Sequence, residues 1–157
     1  MQKVIFITGM PGSGKTTYLN NHTAEFSDAL ICDDYYKSAL DADRPRKFVG
    51  FKGSAYYEDV KEALANGRDV VMADIVFYED ELGREAREGL EALIAELGTR
   101  VDIDYRYFEN DAEACIANIV RRDRPERVES ELKFVTENRD SYRIPKNATV
   151  LPVYREV

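Results

Sequence analysis

Eight consecutive residues, Gly9-Met10-Pro11-Gly12-Ser13-Gly14-Lys15-Thr16, satisfy the pattern G-x-x-x-x-G-K-[ST] without a mismatch. The pattern prescribes its surroundings, because such a turn has to leave a buried strand and open a helix. Val4-Ile5-Phe6-Ile7 supplies the strand: a continuous apolar run suits a parallel strand covered on both faces. Thr17-Tyr18-Leu19-Asn20-Asn21 follows Lys15 with helical composition. Lacking a Cβ, Gly9, Gly12 and Gly14 can take backbone angles closed to other residues, so successive N–H groups converge on phosphate oxygens at the positive end of the helix. Lys15 then adds a full charge at the β/γ-phosphates of a nucleoside triphosphate, and the Thr16 hydroxyl is the expected Mg²⁺ ligand. The candidate nucleotide-binding residues are therefore Gly12, Ser13, Gly14, Lys15, Thr16 and Thr17.

Downstream, hydrophobic periods alternate between those of strand and helix. Ala29-Leu30-Ile31-Cys32 predicts a second short buried strand, closed by the acidic pair Asp33-Asp34. Pro45 and Gly50-Phe51-Lys52-Gly53 punctuate an irregular stretch. Tyr56, Val60, Ala63 and Leu64 recur at helical spacing, with Asn66-Gly67 as the C-terminal cap. Asp69 to Ala73 predicts strand three, ending at Asp74; Leu82, Ala86, Leu90, Leu93, Ile94 and Leu97 form one face of a helix that Gly98 stops. Strand four, within Val101 to Phe108, alternates apolar residues with Asp102, Asp104 and Arg106, so one of its faces is expected to be wetter. Asn110 with Glu113 predicts a capping box opening the next helix, and Asp123 with Glu126 caps a last one that carries Val128, Leu132, Val135 and Tyr142. Thr149-Val150-Leu151 is a final strand. The fold class that follows is α/β: a P-loop NTPase three-layer α/β/α sandwich with a parallel sheet of about five strands and a helical lid near 121–127, in one domain over 1–157.

Ligands in such sheets bind beyond the carboxyl ends of the strands. The residues immediately after strands are the glycine-rich loop, Asp33-Asp34 and Asp74. Transfer of a phosphoryl group needs the phosphates held, a metal, neutralisation of the moving charge and a base for the acceptor. Lys15 and Thr16 meet the first two needs, and Asp33 is placed to accept the proton of an incoming hydroxyl. Asp74 either reaches the magnesium or caps the following segment. Arg121, Arg122, Arg124 and Arg127 crowd into seven positions, with Arg121 and Arg124 as the candidates to cover the transferring group. Tyr35, Tyr36, Tyr56 and Tyr57 could stack on a base or simply pack.

The bulk numbers restrict the partners. With 22 basic and 30 acidic residues the net charge is −8, whereas a protein that grips nucleic acid by neutralising phosphates usually carries a basic excess. Any such grip has to be local. No apolar run approaches the roughly 18 residues that span a bilayer, and Met1-Gln2-Lys3 leads directly into the first strand, so a cytoplasmic protein without membrane contact is expected. Cys32 and Cys115 lie far apart with no metal-ligand spacing and are expected to be reduced; His22, the single histidine, excludes a multi-histidine metal site.

On these residues the chain resembles the kinase domain of phage-type 5′-polynucleotide kinases, which move the ATP γ-phosphate onto a nucleic-acid 5′-hydroxyl. The likeness runs through the strand and loop of Val4 to Thr17, the Asp-Asp-Tyr segment at Asp33-Asp34-Tyr35, the acid Asp74, the Asn118 and Arg121 pair of the lid, and Leu151-Pro152-Val153-Tyr154. It implies ATP and Mg²⁺ as cofactors, Asp33 as general base, Arg121 as a catalytic lid residue, and a nucleic-acid end or nucleotide-like acceptor. One departure stands out. The family places an arginine directly after Asp-Asp-Tyr to hold the substrate phosphate, and this chain has Tyr36 there, followed by Lys37. Asp34, Tyr36 and Lys37 are the candidate acceptor contacts; either Lys37 replaces the missing fork with a point charge or the acceptor lacks that phosphate. A small-molecule, nucleoside or nucleotide kinase, a kinase of hydroxymethylated bases in phage DNA, and a nucleotide-dependent switch remain the alternatives.

Overall fold

The strand demanded by the glycine-rich turn lies at the centre of the sheet. A computed structural model describes residues 2–32, 57–73, 81–122 and 125–155, save the side chains of 81–83, 85 and 86. The elements follow in the order β1 (Gln2–Thr8), α1 (Lys15–Asn21), β2 (Leu30–Cys32), α2 (Tyr57–Ala65), β3 (Val70–Met72), α3 (Glu81–Leu97), β4 (Val101–Phe108), α4 (Ala112–Arg121), α5 (Pro125–Asn138) and β5 (Thr149–Leu151). The five strands run in the order β2-β3-β1-β4-β5, and every neighbouring pair is parallel.

The alternation of side chains along β1 divides the core into two layers. Ile5 and Ile7 face one side, where Leu19 of α1, Cys115 and Ile119 of α4 and Val135 of α5 cover them. Val4 and Phe6 face the other, against Val60, Ala63 and Leu64 of α2 and Leu90 and Leu93 of α3. Helices on both faces make the three-layer α/β/α sandwich, and they explain why β1 reads as an unbroken apolar run.

Register brings the strand ends together. Phe6 is level with Met72 of β3, which is level with Cys32 of β2, so these three strands finish at the same edge of the sheet. The glycine-rich loop leaves from that edge. Chain order reverses direction at β1, with β3 and β2 on one side and β4 and β5 on the other, which is where open α/β sheets form their binding crevice.

Three local expectations require correction. The N-cap of α4 is Asp111, whose carboxylate accepts the Ala114 N–H at 3.0 Å; Asn110 instead donates across to the Arg139 carbonyl at 2.7 Å. Tyr142 lies beyond the end of α5 at Asn138. It is buried by a tertiary contact, its hydroxyl donating to the carbonyls of Phe108 (2.6 Å) and Thr8 (3.3 Å) where β4 and β1 end, and burial raises its pKa far above the ordinary phenol value. Gly9 has no positive φ, so no left-handed backbone requires glycine there; what it needs is space, because a Cβ would crowd the Phe108 ring at 3.0 Å and overlap Ser13.

The wetter face of β4 is organised by Arg106. Its guanidinium donates to Glu25 (2.6 Å), Asp104 (3.0 Å) and the Tyr18 hydroxyl (2.9 Å) and lies over the Phe26 ring. This cluster fastens α1 and the turn after it to the sheet.

Candidate functional site

The loop from Gly9 to Gly14 turns sharply because two of its glycines occupy the left-handed region, Gly12 at φ 81° and Gly14 at φ 107°. Neighbours crowd both. A Cβ on Gly12 would fall onto the Cys115 carbonyl oxygen and lie 2.9 Å from Ile119 Cγ1; one on Gly14 would lie 2.6 Å from Tyr154 Cβ. The loop therefore sits against α4 on one side and against the segment after β5 on the other.

Those two elements grip it through its carbonyls. Asn118 of α4 donates its side-chain amide to the carbonyl of Gly12 (2.8 Å) and to that of Tyr154 (2.5 Å). The Tyr154 backbone N–H donates to the Ser13 carbonyl at 2.9 Å, and the Gly14 carbonyl accepts the Tyr18 N–H at 2.8 Å, starting α1. Arg155 extends the grip by pairing with Glu109 (3.1 Å) and with Asp111, the cap of α4. The Asp111 carboxyl is held below its usual range, first by the Ala114 N–H and then by Arg155.

Between loop and α4 opens a pocket of about 360 Å³, lined by Pro11, Gly12, Gly14, Lys15, Thr16, Thr17, Asn118, Arg121, Arg122 and Tyr154. Lys15 folds back across the loop, its ammonium donating to the carbonyls of Gly9 (2.6 Å) and Met10 (3.2 Å). Asn118 and Arg121 are three apart on α4 and so share the helix face that meets the loop. Of the sequence candidates, Gly12, Gly14, Lys15, Thr16, Thr17 and Arg121 are brought together here. Ser13 is not on the lining: its side chain is buried and its hydroxyl has no hydrogen-bond partner among the described residues.

Two contributors were not singled out by sequence reasoning. Arg122, at the C-cap of α4, lines the pocket while pairing at 2.7 Å with the buried Glu131 of α5, a bridge that spans the connection between the two helices. Tyr154 comes from the far end of the chain, and the only sequence signal for it was its place in Leu151-Pro152-Val153-Tyr154. Behind the loop, burial pushes the Cys115 thiol up to about 11, and Cys32 is buried as well; no disulfide joins the two.

Asp33, Asp34, Tyr36, Lys37, Asp74 and Arg124 lie outside the described residues. Among the described residues no cluster of three or more His, Cys, Asp or Glu side chains could hold a metal ion. The hydroxyl of Thr16 is a hard oxygen donor on the pocket wall, the type of ligand that Mg²⁺ takes singly when phosphates and waters complete its shell. No helix among the described residues is long and apolar enough to cross a membrane.

A profile of the AAA_33 family, described as an AAA domain, matches residues 4–142. The chain belongs to the AAA_33 family. A comparison with curated proteins found no match. Among solved structures, this AAA_33 chain is similar to a fungal RNA kinase at 15% identity, with 100% of this chain and 78% of that one covered and a TM-score of 0.60. It is also similar to the Mycobacterium tuberculosis APS kinase CysC, solved in complex with AMPPNP and APS, at 21% identity, 99% and 90% coverage and a TM-score of 0.53. A third structure, APE1195, is 18% identical with 98% and 85% coverage and a TM-score of 0.60. The AAA_33 chain thus has the P-loop kinase-type fold.

Proposed function

We propose that this protein is an ATP-dependent phosphotransferase that moves the γ-phosphate to a hydroxyl, and that its acceptor is the 5′-hydroxyl of a polynucleotide. The observation that carries the reading is the pocket itself, whose lining joins the loop, Lys15 and Thr16 to Arg121 of α4 and to Arg122 at its C-cap. Guanidinium groups beside the loop suit phosphoryl transfer, because negative charge spreads over the moving group.

In this mechanism the loop amides and Lys15 hold the β- and γ-phosphates; Thr16, with Asp74 as a further candidate, would hold Mg²⁺, which would offset their charge. Asp33 takes the proton of the acceptor hydroxyl as its oxygen bonds to the γ-phosphorus. The bond from that phosphorus to the β-bridging oxygen breaks, and ADP leaves with the electron pair. Arg121, with Arg124 as a second candidate, covers the γ-group. Asp34, Tyr36 and Lys37 contact the acceptor. In support, β2 and β3, after which Asp33 and Asp74 follow in sequence, end at the same sheet edge from which the loop departs.

The likeness to a fungal RNA kinase and the match to the phage-type pattern favour a nucleic-acid end. A small acceptor, such as a nucleoside or a metabolite hydroxyl, is favoured by Tyr36 at the position of the family's phosphate-gripping arginine and by the net charge of −8. Incubation with γ-labelled ATP and a panel of 5′-hydroxyl oligonucleotides, nucleosides, mononucleotides and sugar acids separates the two. Label on oligonucleotide ends is the expected result; label only on small acceptors transfers the function to the second reading, and label on none with intact ATP binding favours a switch.

A further inference from the structure

The reading of the pocket as a triphosphate site leaves open what shapes the loop, and the contacts of Asn118 answer it. Both neighbours of its side-chain nitrogen, at 2.8 and 2.5 Å, are carbonyl oxygens, which only the NH₂ end of an amide can satisfy. One side chain thereby ties together three segments distant in sequence: the loop at Gly12, helix α4, and the strap of residues 152–155.

Peptide geometry gives these ties a direction. A trans peptide points its N–H opposite to its C=O. The Ser13 carbonyl is held by the Tyr154 N–H at 2.9 Å, so the Gly14 N–H in the same peptide plane faces away from the strap. The Gly14 carbonyl is held by the Tyr18 N–H at 2.8 Å, which turns the Lys15 N–H out of the start of α1. The Gly12 carbonyl is held by Asn118, and its peptide partner, the Ser13 N–H, closes a turn onto the Met10 carbonyl at 3.1 Å. Three successive carbonyls are thus committed to protein donors. A loop with two glycines at positive φ has wide conformational freedom, and without these ties its N–H groups would have to be ordered at the moment of binding.

We infer that Asn118 is a positioning residue for the phosphate-binding loop and that the strap at Tyr154 is its second arm. Asn118 fixes the Gly12 carbonyl and, through the Tyr154 carbonyl, the strap whose N–H holds the Ser13 carbonyl, so that the Gly14 N–H is aimed at phosphate oxygens before the triphosphate arrives. The role is distinct from that of Arg121 on the same helix face, since Asn118 acts on the loop backbone.

The test uses inorganic tripolyphosphate with Mg²⁺ alongside ATP, because tripolyphosphate has no base or sugar and reports the loop alone. Asn118→Ala is compared with wild type, and Tyr154→Pro with Tyr154→Ala; the last two both lack the ring, and only proline lacks the N–H that holds Ser13. Binding is measured by calorimetry well below the thermal midpoint, with circular dichroism confirming the folded state. Asn118→Ala is expected to weaken both ligands about tenfold, as for loss of an oriented hydrogen bond, and Tyr154→Pro to bind several-fold more weakly than Tyr154→Ala. A purely structural role would lower the midpoint and leave these affinities in place. Wild-type affinity in Asn118→Ala, or equal affinity in the proline and alanine variants, overturns the inference. Absence of binding of either ligand by wild type would instead overturn the triphosphate reading on which it rests.

Discussion

Replacing Gly12 by alanine tests whether the loop is held by its neighbours or only by its own backbone, and Gly67 provides the comparison. The two glycines have similar φ, 81° at Gly12 and 76° at Gly67, the latter at the C-terminal end of α2. At Gly67 a Cβ meets nothing within 4 Å, so Gly67→Ala isolates the backbone penalty. A left-handed L-residue costs about 1–2 kcal/mol, part of which is offset by the lower entropy of the unfolded alanine chain, leaving a net loss of about 1 kcal/mol. At Gly12 the same penalty applies, and the Cβ also overlaps the Cys115 carbonyl and approaches Ile119 Cγ1 at 2.9 Å. Backbone and a buried residue must both yield there. Overpacking of that kind adds about 1–3 kcal/mol, for a total of about 2–4 kcal/mol. In a domain of this size each kcal/mol lowers the midpoint by about 2–4 °C. Differential scanning calorimetry should place Gly67→Ala about 3 °C and Gly12→Ala about 6–12 °C below wild type. Only Gly12→Ala should lose the stabilisation conferred by ATP. Equal midpoints for the two variants, or undiminished ATP stabilisation in Gly12→Ala, would refute the claim that α4 forms the back wall of the loop.

Lys15→Ala should weaken ATP binding and abolish turnover, whereas Asp33→Asn should keep ATP affinity and lose 10²- to 10⁴-fold in single-turnover transfer rate; a loss under about tenfold would remove Asp33 as the base. Asp111→Ala should cost about 1 kcal/mol of stability in urea titrations and Asp111→Asn clearly less, since asparagine also caps a helix. Because the folded Asp111 carboxyl lies below its usual range, its contribution is complete above the unfolded value near 4 and is lost as pH falls through the depressed folded value. The acid-side decline in midpoint should accordingly be shallower in Asp111→Asn, and an identical decline would contradict this. With its thiol pushed up to about 11, Cys115 at pH 8 should hold a thiolate fraction roughly two orders of magnitude below that of a free cysteine. Native alkylation followed by peptide mapping should find it slow to react, and rapid labelling of the folded protein would refute the burial.

What was legible in the sequence was local. The pattern of Gly9 to Thr16, with an apolar run before it, sufficed to place β1 and α1, and the alternation of strand and helix periods gave the parallel sheet with helices on both faces. The caps were less secure because tertiary contacts compete for the same groups. Asn110 has the right chemistry for the N-cap of α4, yet Arg139 claims its amide and leaves the cap to Asp111 one residue on. Tyr142 fits the period of α5, but its burial comes from a hydroxyl reaching the ends of β1 and β4 after the helix has finished. At the site, Lys15, Thr16 and Arg121 could be named from motif and clustering. The roof could not, since nothing near Asn118 or Tyr154 in sequence signals that Gly12 and Ser13 are their partners.

The strap also bears on when the pocket can exist. Ser13 and Tyr154 are 141 positions apart, so the bond between them closes a very long loop. Contacts of that separation form only after their ordering entropy has been offset by the sheet between them, and during synthesis the glycine-rich loop emerges long before its roof. A product halted before β5 would carry an intact motif but a Ser13 carbonyl without its Tyr154 donor. A chain truncated before Thr149 should bind immobilised ATP more weakly than one that extends through Arg155, and equal binding would contradict this.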